Sequence, residues 1–302
     1  MKDNKIDFFL VGAARSGTTF IYNYLNNHPN VFLPNVKEPN FFSEVESYIK
    51  EDYAAPEKNK VYHSKIINSR KIYDALYLNS KANQIKGDIS PSYLWDLNTA
   101  QKIYEHNAEA KIMISLRNPI DRAFSHYKMN YYIGMEQHKN FKKALEAEVK
   151  PKWGGSNEYL KMSLYYNQIK KYFDVFPASQ IKVIIYEEWI ENIETTMREI
   201  TSFLGIENKP VKLQETKIEK NKVGYLRHAK FLNVVRNSPL KKVARQILTQ
   251  SDIDKIKQTL FVSESKSVSL DPKTREELRA YFAEDIARLS KMLNVDFTEK
   301  WF

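Results

Sequence analysis

The sequence predicts an α/β fold, a three-layer arrangement in which a central parallel sheet of about four or five strands is flanked by helices. Short apolar runs alternate with longer helical patterns, which is how βα units read. A Gly-x-x-x-x-Gly loop joins the first run to the first helix, the strand–turn–helix order of a P-loop-like domain. At 302 residues the chain is long enough to bury a sizeable core, and all its motifs fit one domain over residues 1–302.

Residues 6–11 (Ile-Asp-Phe-Phe-Leu-Val) read as the first strand and residues 18–27 as an amphipathic helix. Residues 111–116 and 181–186 are strong strand candidates, and 84–88 a weaker one. Helices are predicted over 119–132, 164–176 and 193–204. A last helix, over 272–293, begins with Asp271 placed to cap it and Pro272 suited to its first turn. Its Leu278, Phe282, Ile286, Leu289 and Leu293 share one face and read as core. Two polar excursions, 134–159 and 206–224, interrupt the pattern, and long excursions on such a scaffold line substrate and cofactor clefts.

A net charge of +10 calls for an anionic partner. The basic residues are scattered (Lys139, Lys142 and Lys143; Lys217, Lys220 and Lys222; Lys241, Lys242 and Arg245) and read as solvated faces, so nucleic acid is not expected. The absence of cysteine removes disulfides, thiol chemistry and cysteine metal sites, and the six histidines show no metal-ligand spacing. Residues 1–5 are polar, without a signal-peptide pattern, and no apolar run approaches the roughly 20 residues of a membrane span. A soluble, cytoplasmic protein is the expectation.

Chemistry concentrates in two segments. The loop Gly12-Ala-Ala-Arg15-Ser16-Gly17-Thr18-Thr19 keeps the glycines of a phosphate-binding loop but lacks its lysine. Thr18 stands in that place, and Arg15 supplies a cation three residues earlier. Backbone N–H groups converge there on the positive end of a helix, so a phosphate other than that of ATP is the expected ligand. The second segment is Arg117-Asn-Pro-Ile-Asp121-Arg-Ala-Phe-Ser125. Asn118 as N-cap, Pro119 at the first helical position and Asp121 completing a capping box are explained by helix initiation alone. Arg117 is left over at the carboxyl end of a strand, with Ser125 one to two turns along the helix. They form a second oxyanion site, separate from the loop, which suits a ligand carrying phosphates at both ends of one nucleoside.

With these motifs in view, the chain resembles the 3′-phosphoadenylyl-sulfate (PAPS)-dependent sulfotransferases, most closely the heparan-sulfate-type and bacterial branch with Lys-Glu-x-x-Phe-Phe. Lys37-Glu38-Pro-Asn-Phe41-Phe42, Gly87-Asp-Ile-Ser-Pro-Ser-Tyr93, Val183-Ile-Ile-Tyr186-Glu187 and Asp285-Ile-x-x-Leu289…Trp301 extend the resemblance over most of the chain. It implies that Ser16, Gly17, Thr18 and Thr19 hold the 5′-phosphosulfate, with Arg15 where heparan-type enzymes place a catalytic lysine. Arg117 and Ser125 would take the 3′-phosphate, and Tyr186 would contact the nucleotide. Lys222, Gly224 and Arg227 would belong to a loop closing over it. Glu38 matches the family's general base, a role that suits a carboxylate beside an attacking hydroxyl or amine. No metal is implied. The implied acceptor is a carbohydrate, and the charge favours an acidic one; a lipid or small-molecule alcohol is the alternative. The sequence departs from the heparan-type pattern at Ile89, where lysine is common, and at Arg15, a planar fork in place of a point charge.

Two other classes fit parts of the pattern. Asp88 and Glu187 end β-like runs, as the Mg²⁺-binding acid of an ATP-dependent kinase would, but the loop lacks the kinase lysine. A non-catalytic nucleotide- or polyanion-binding protein would share the phosphate sites. His126, beside Ser125, could face the acceptor but reads as a structural histidine of an amphipathic helix.

Overall fold

The computed structural model describes residues 5–47, 50–132, 135–147, 156–209 and 268–302. Lys222, Gly224 and Arg227, nearly all of the 206–224 excursion and part of the 134–159 excursion lie outside the described residues. In chain order the elements are β1 (Phe8–Gly12), α1 (Thr18–Asn26), β2 (Val31–Phe32), β3 (Val36–Glu38), β4 (Tyr62–Ser64), α2 (Arg70–Ala75), β5 (Ile85–Ile89), α3 (Ser92–Trp95), α4 (Thr99–His106) and β6 (Lys111–Leu116). They continue with α5 (Pro119–Tyr132), α6 (Phe141–Leu145), α7 (Tyr165–Phe173), β7 (Ile181–Ile185), α8 (Tyr186–Trp189), α9 (Ile193–Leu204), α10 (Pro272–Leu293) and α11 (Phe297–Trp301).

The central sheet has five strands in the order β2-β5-β1-β6-β7, and every neighbouring pair is parallel. From β1 the chain moves out to β2 and back to β5, then crosses to β6 and β7 on the other side. The order therefore reverses at β1, and the turns after β1 and β6 open on the crevice where such sheets bind ligands.

Because successive side chains of a strand point to opposite faces, β1 can be buried on both. Phe8 and Leu10 pack with Ile21 and Leu25 of α1 and Met197, Ile200 and Leu204 of α9. Phe9 and Val11 pack with Tyr93, Ile103, Ala123, Phe282 and Ile286, from α3, α4, α5 and α10. The sheet is thus the middle of three layers, as the alternation of runs predicts.

β5 looks weak in sequence because Lys86, Gly87 and Asp88 are poor strand formers. Packing explains the glycine: a Cβ on Gly87 would lie 2.1 Å from the ring of Phe8, its neighbour across the ladder. β2, with two residues, and the separate parallel pair β3–β4 were not foreseen. α10 begins as predicted, with the Asp271 side chain accepting the Thr274 N–H at 2.8 Å. Leu278, Phe282, Ile286 and Leu289 are buried, and Leu293 half-buried. Among the described residues, no helix is long and apolar enough to cross a membrane.

Candidate active site

The loop after β1 is shaped by β6 and α5. The Ala13 N–H donates to Ser115 O at 2.7 Å. Three consecutive loop carbonyls are then taken from the same side. Arg122 Nη1 donates to Ala14 O (3.4 Å), Arg117 Nη1 to Arg15 O (3.2 Å) and Ser115 Oγ to Ser16 O (2.7 Å). A planar trans peptide sets the next N–H opposite each carbonyl, so the amides of this stretch are turned away from β6. The Ser16 N–H is directed at Ala13 O (3.2 Å), whereas those of Gly17, Thr18 and Thr19 meet no acceptor among the described residues. Gly17, the N-cap of α1, has φ 80°, and a Cβ there would lie 2.1 Å from the Trp189 ring. Only glycine fits both constraints. Arg15 is also left-handed, with φ 73°, which costs a side-chain-bearing residue roughly 1–2 kcal/mol.

The Arg15 side chain reaches α5. Its Nε donates to Ser125 Oγ at 3.2 Å, and its Nη1 lies 3.5 Å from Met129 Sδ. With Arg117 bonded to the Arg15 carbonyl, the two oxyanion segments that read as separate in sequence form one continuous site. The Arg117 guanidinium stacks 4.6 Å above the Tyr186 ring. Tyr186 therefore sits under Arg117 as the first residue of α8. Arg122, fully buried, donates from Nε to Ser163 Oγ (2.6 Å) and from Nη2 to Tyr159 O (2.7 Å). None of these three arginines meets a carboxylate in an ion pair among the described residues. Burial first, then Arg117, lowers the pKa of Arg15. Burial, with Arg15 and Arg117 adding to it, pushes Arg122 down to about 10. Lys128, further along α5 and one turn beyond Ser125, is lowered by burial and by both. Two buried polar atoms at this site, Ser16 Oγ and Arg117 Nε, have no partner among the described residues. Thr18 is buried and Thr19 exposed.

Glu38 ends β3 and is only 8% exposed, so it is no surface glutamate. Lys37 Nζ donates to its Oε1 at 2.7 Å, and Nε2 of the exposed His63 on β4 lies 3.6 Å from the same oxygen. The Glu38 carboxylate also stabilises the charged form of Arg15, which places the two in one electrostatic neighbourhood. Sequence reasoning found Glu38 but missed Lys37 and His63 as its companions. It also missed Arg122, whose only signal was its place in the Arg117–Ser125 motif.

Several expectations are corrected or redirected. Asn118 caps α5 as predicted, its Oδ1 accepting the Ile120 and Asp121 N–H groups (2.9 and 3.2 Å). Asp121 does not complete a capping box; it pairs with Arg275 at 2.6 Å. Glu187 takes over, its Oε1 accepting the Asn118 N–H at 2.9 Å while Oε2 accepts Trp301 Nε1 at 3.1 Å. Asp88 is fully buried and accepts Ser90 Oγ (2.7 Å), Tyr73 OH (2.7 Å) and Tyr93 OH (2.8 Å). Both carboxylates are thus committed to protein donors, which leaves neither in the position a kinase needs for its Mg²⁺ ligand. No group of acidic, histidine or cysteine side chains among the described residues could hold a metal ion. His126 is buried edge-on against Tyr159, ring centroids 5.0 Å apart, and burial holds its pKa well below the usual histidine value.

Comparison with known proteins gives the family. Residues 5–291 match the family model of the sulfotransferase domain, and the chain belongs to that family. The structure superimposes on a sulfotransferase from Alicyclobacillus acidocaldarius with TM-score 0.68 and 26% identity, over 98% of each chain. Heparan sulfate glucosamine 3-O-sulfotransferase 5 of Mus musculus is 22% identical over 65% of this chain and 52% of its own length. Carbohydrate sulfotransferase 15 of Homo sapiens is 20% identical over 66% of this chain and 43% of its own. The chain therefore spans about half or less of the length of these curated relatives.

Proposed function

We propose that the chain is an enzyme that transfers the sulfuryl group of PAPS to a hydroxyl or amine, on a carbohydrate. The observation that carries this reading is the set of three arginines, Arg15, Arg117 and Arg122, converging without carboxylates on adjoining ends of β1 and β6 beside a buried glutamate. Such a cluster is repulsive until an anion with more than one charged group fills it. The amides of Gly17, Thr18 and Thr19, with Ser16 Oγ, suit a phosphosulfate, and the free Arg117 Nε with Ser125 suits the 3′-phosphate. Tyr186 carries the nucleotide contact through its stack with Arg117. Lys222, Gly224 and Arg227 are assigned to the closing loop on resemblance alone.

In the reaction, Glu38 accepts the proton of the acceptor as its oxygen or nitrogen attacks sulfur. The bond from sulfur to the 5′-phosphate oxygen breaks, and the electron pair leaves with the bisphosphate, where Arg15 and the loop amides meet it. Glu38, Arg15 and the donor must hold attacking and leaving atoms in line. The carbohydrate acceptor follows the names of the curated relatives and the charge of +10. A single domain acting in the cytoplasm, without a metal, completes the reading.

Transfer from labelled PAPS, screened against sugars, sterols and phenols with Glu38→Gln as control, tests it. Label should appear on a sugar acceptor and nearly vanish in the variant. Binding in EDTA should favour adenosine 3′,5′-bisphosphate over ADP, and equal affinity for the two would sink the assignment.

A further inference from the structure

Asp88 sits at the root of the segment that follows Glu38. Its three partners each touch that segment. Ser90 Oγ donates to Asp88 Oδ1 and accepts the Asn40 N–H at 3.1 Å. Tyr93 OH donates to Oδ2 and accepts the Phe41 N–H at 3.0 Å. Tyr73 OH also donates to Oδ2, and its ring stacks on Phe41, with centroids 4.3 Å apart and 14° between planes. Asn40 is left-handed, with φ 54°, and its Nδ2 donates to the Glu38 carbonyl at 2.9 Å, so a displacement of Asn40 is felt one peptide away from the base. A hydroxyl whose proton is given to a carboxylate must offer lone pairs elsewhere, and here it offers them to loop amides.

We propose that Asp88 is a positioning residue for Glu38: its carboxylate orients the hydroxyls of Ser90 and Tyr93, which hold the Asn40–Phe41 backbone that sets the base, and anchors Tyr73, whose ring stacks on Phe41. This rests on the reading of Glu38 as the base. A protonated Asp88 would have to donate to one partner, and that hydroxyl would turn its own proton away from the carboxyl, losing the bond that fixes its direction toward the loop. Burial raises the Asp88 pKa to about 6, within reach of working pH. The groups facing it are Tyr73 from α2, Tyr77 just after it, Tyr93 from α3, and Glu38 from β3. His106 of α4 packs edge-on against Tyr73 at 6.5 Å. The three tyrosines have pKa values well above their usual one and stay neutral.

Asp88→Asn and Tyr93→Phe, assayed for kcat, KM and pH profile on the acceptor found above, test the proposal. Asp88→Asn should lower kcat by about 10- to 100-fold with KM for donor and acceptor little changed. The wild-type kcat should show an acid limb centred near 6 that the variant lacks. Tyr93→Phe, which frees the Phe41 and Phe42 amides but leaves Asn40 held through Ser90, should lower kcat less and keep the limb. A version that needs no variant follows backbone hydrogen exchange of the wild type, corrected for intrinsic rates. Protection at Asn40 and Phe41 should fall below pH 6 while that of β1 holds. An unchanged kcat in folded Asp88→Asn, or pH-independent protection at Asn40 and Phe41, overturns the positioning role alone. A wild type that transfers no sulfuryl group overturns the function, and this role with it.

Discussion

Two neighbouring regions of the molecule treat buried charge in opposite ways. At the ends of β1 and β6, Arg15, Arg117 and Arg122 lie together with no carboxylate in an ion pair among the described residues; Arg117 lowers the proton affinity of Arg15, and both lower that of Arg122. Beneath the Glu38 segment, Asp88 is a carboxylate with no cation, satisfied by three hydroxyl donors. The arginine region still has a buried guanidinium nitrogen and a buried hydroxyl without partners; Asp88 has a donor on each oxygen. The first is built to take its counter-charge from a ligand. The second is complete and serves its surroundings.

The comparison can be broken in several places. Glu38→Gln should have the largest effect, lowering kcat by about 10²- to 10⁴-fold while bisphosphate affinity stays the same, as single-turnover rates and calorimetry would show. Arg117→Ala should weaken adenosine 3′,5′-bisphosphate by about 10- to 100-fold, the loss of charged hydrogen bonds, with little change in melting temperature of the free protein. If affinity survived, the arginine cluster would not be a phosphate site.

Asp88 should reveal itself through stability. Each of its three charged hydrogen bonds is worth about 1.5–3 kcal/mol, yet burial wins, because its pKa is raised from 3.8 to about 6. A raised carboxyl binds more protons in the native than in the unfolded state between those values. Its contribution is therefore full below pH 3.8 and lost as pH rises through 6. Relative to Asp88→Asn, the wild type should lose on the order of 3 kcal/mol across that window, read from urea midpoints at each pH. A constant difference would mean that Asp88 does not titrate there. The smallest effect is expected at Gly17→Ala, which forces a Cβ toward Trp189 and should cost about 1–3 kcal/mol of stability.

Much of this was legible in the sequence, for identifiable reasons. β1, β6 and β7 each show five or six residues of apolar run, and α10 carries its own cap in Asp271. The loop and the Arg117–Ser125 segment are local motifs, so their chemistry could be read where it stands. β2 and β3 were hidden because two or three residues do not complete a pattern of alternation. The capping partner of Asn118 was misread because local spacing favoured Asp121, whereas Glu187 arrives from 69 positions away. The contact of Arg15 with Ser125, 110 positions apart, likewise exists only once the sheet is assembled. Asp88 read as a metal ligand because its three hydroxyl partners come from α2, α3 and the turn between β5 and α3, and no spacing announces them.

The turn that presents Arg117 is closed by the far end of the described chain. Asn118 Nδ2 donates to the carbonyl of Trp301 at 2.7 Å, across 183 positions of sequence. Closing so long a loop is entropically expensive and slow compared with helix formation or pairing of nearby strands. The anion site is therefore expected to be among the last parts of the molecule to mature. In refolding, bisphosphate binding should lag behind the recovery of far-ultraviolet circular dichroism, and simultaneous recovery of both would count against a late-closing turn.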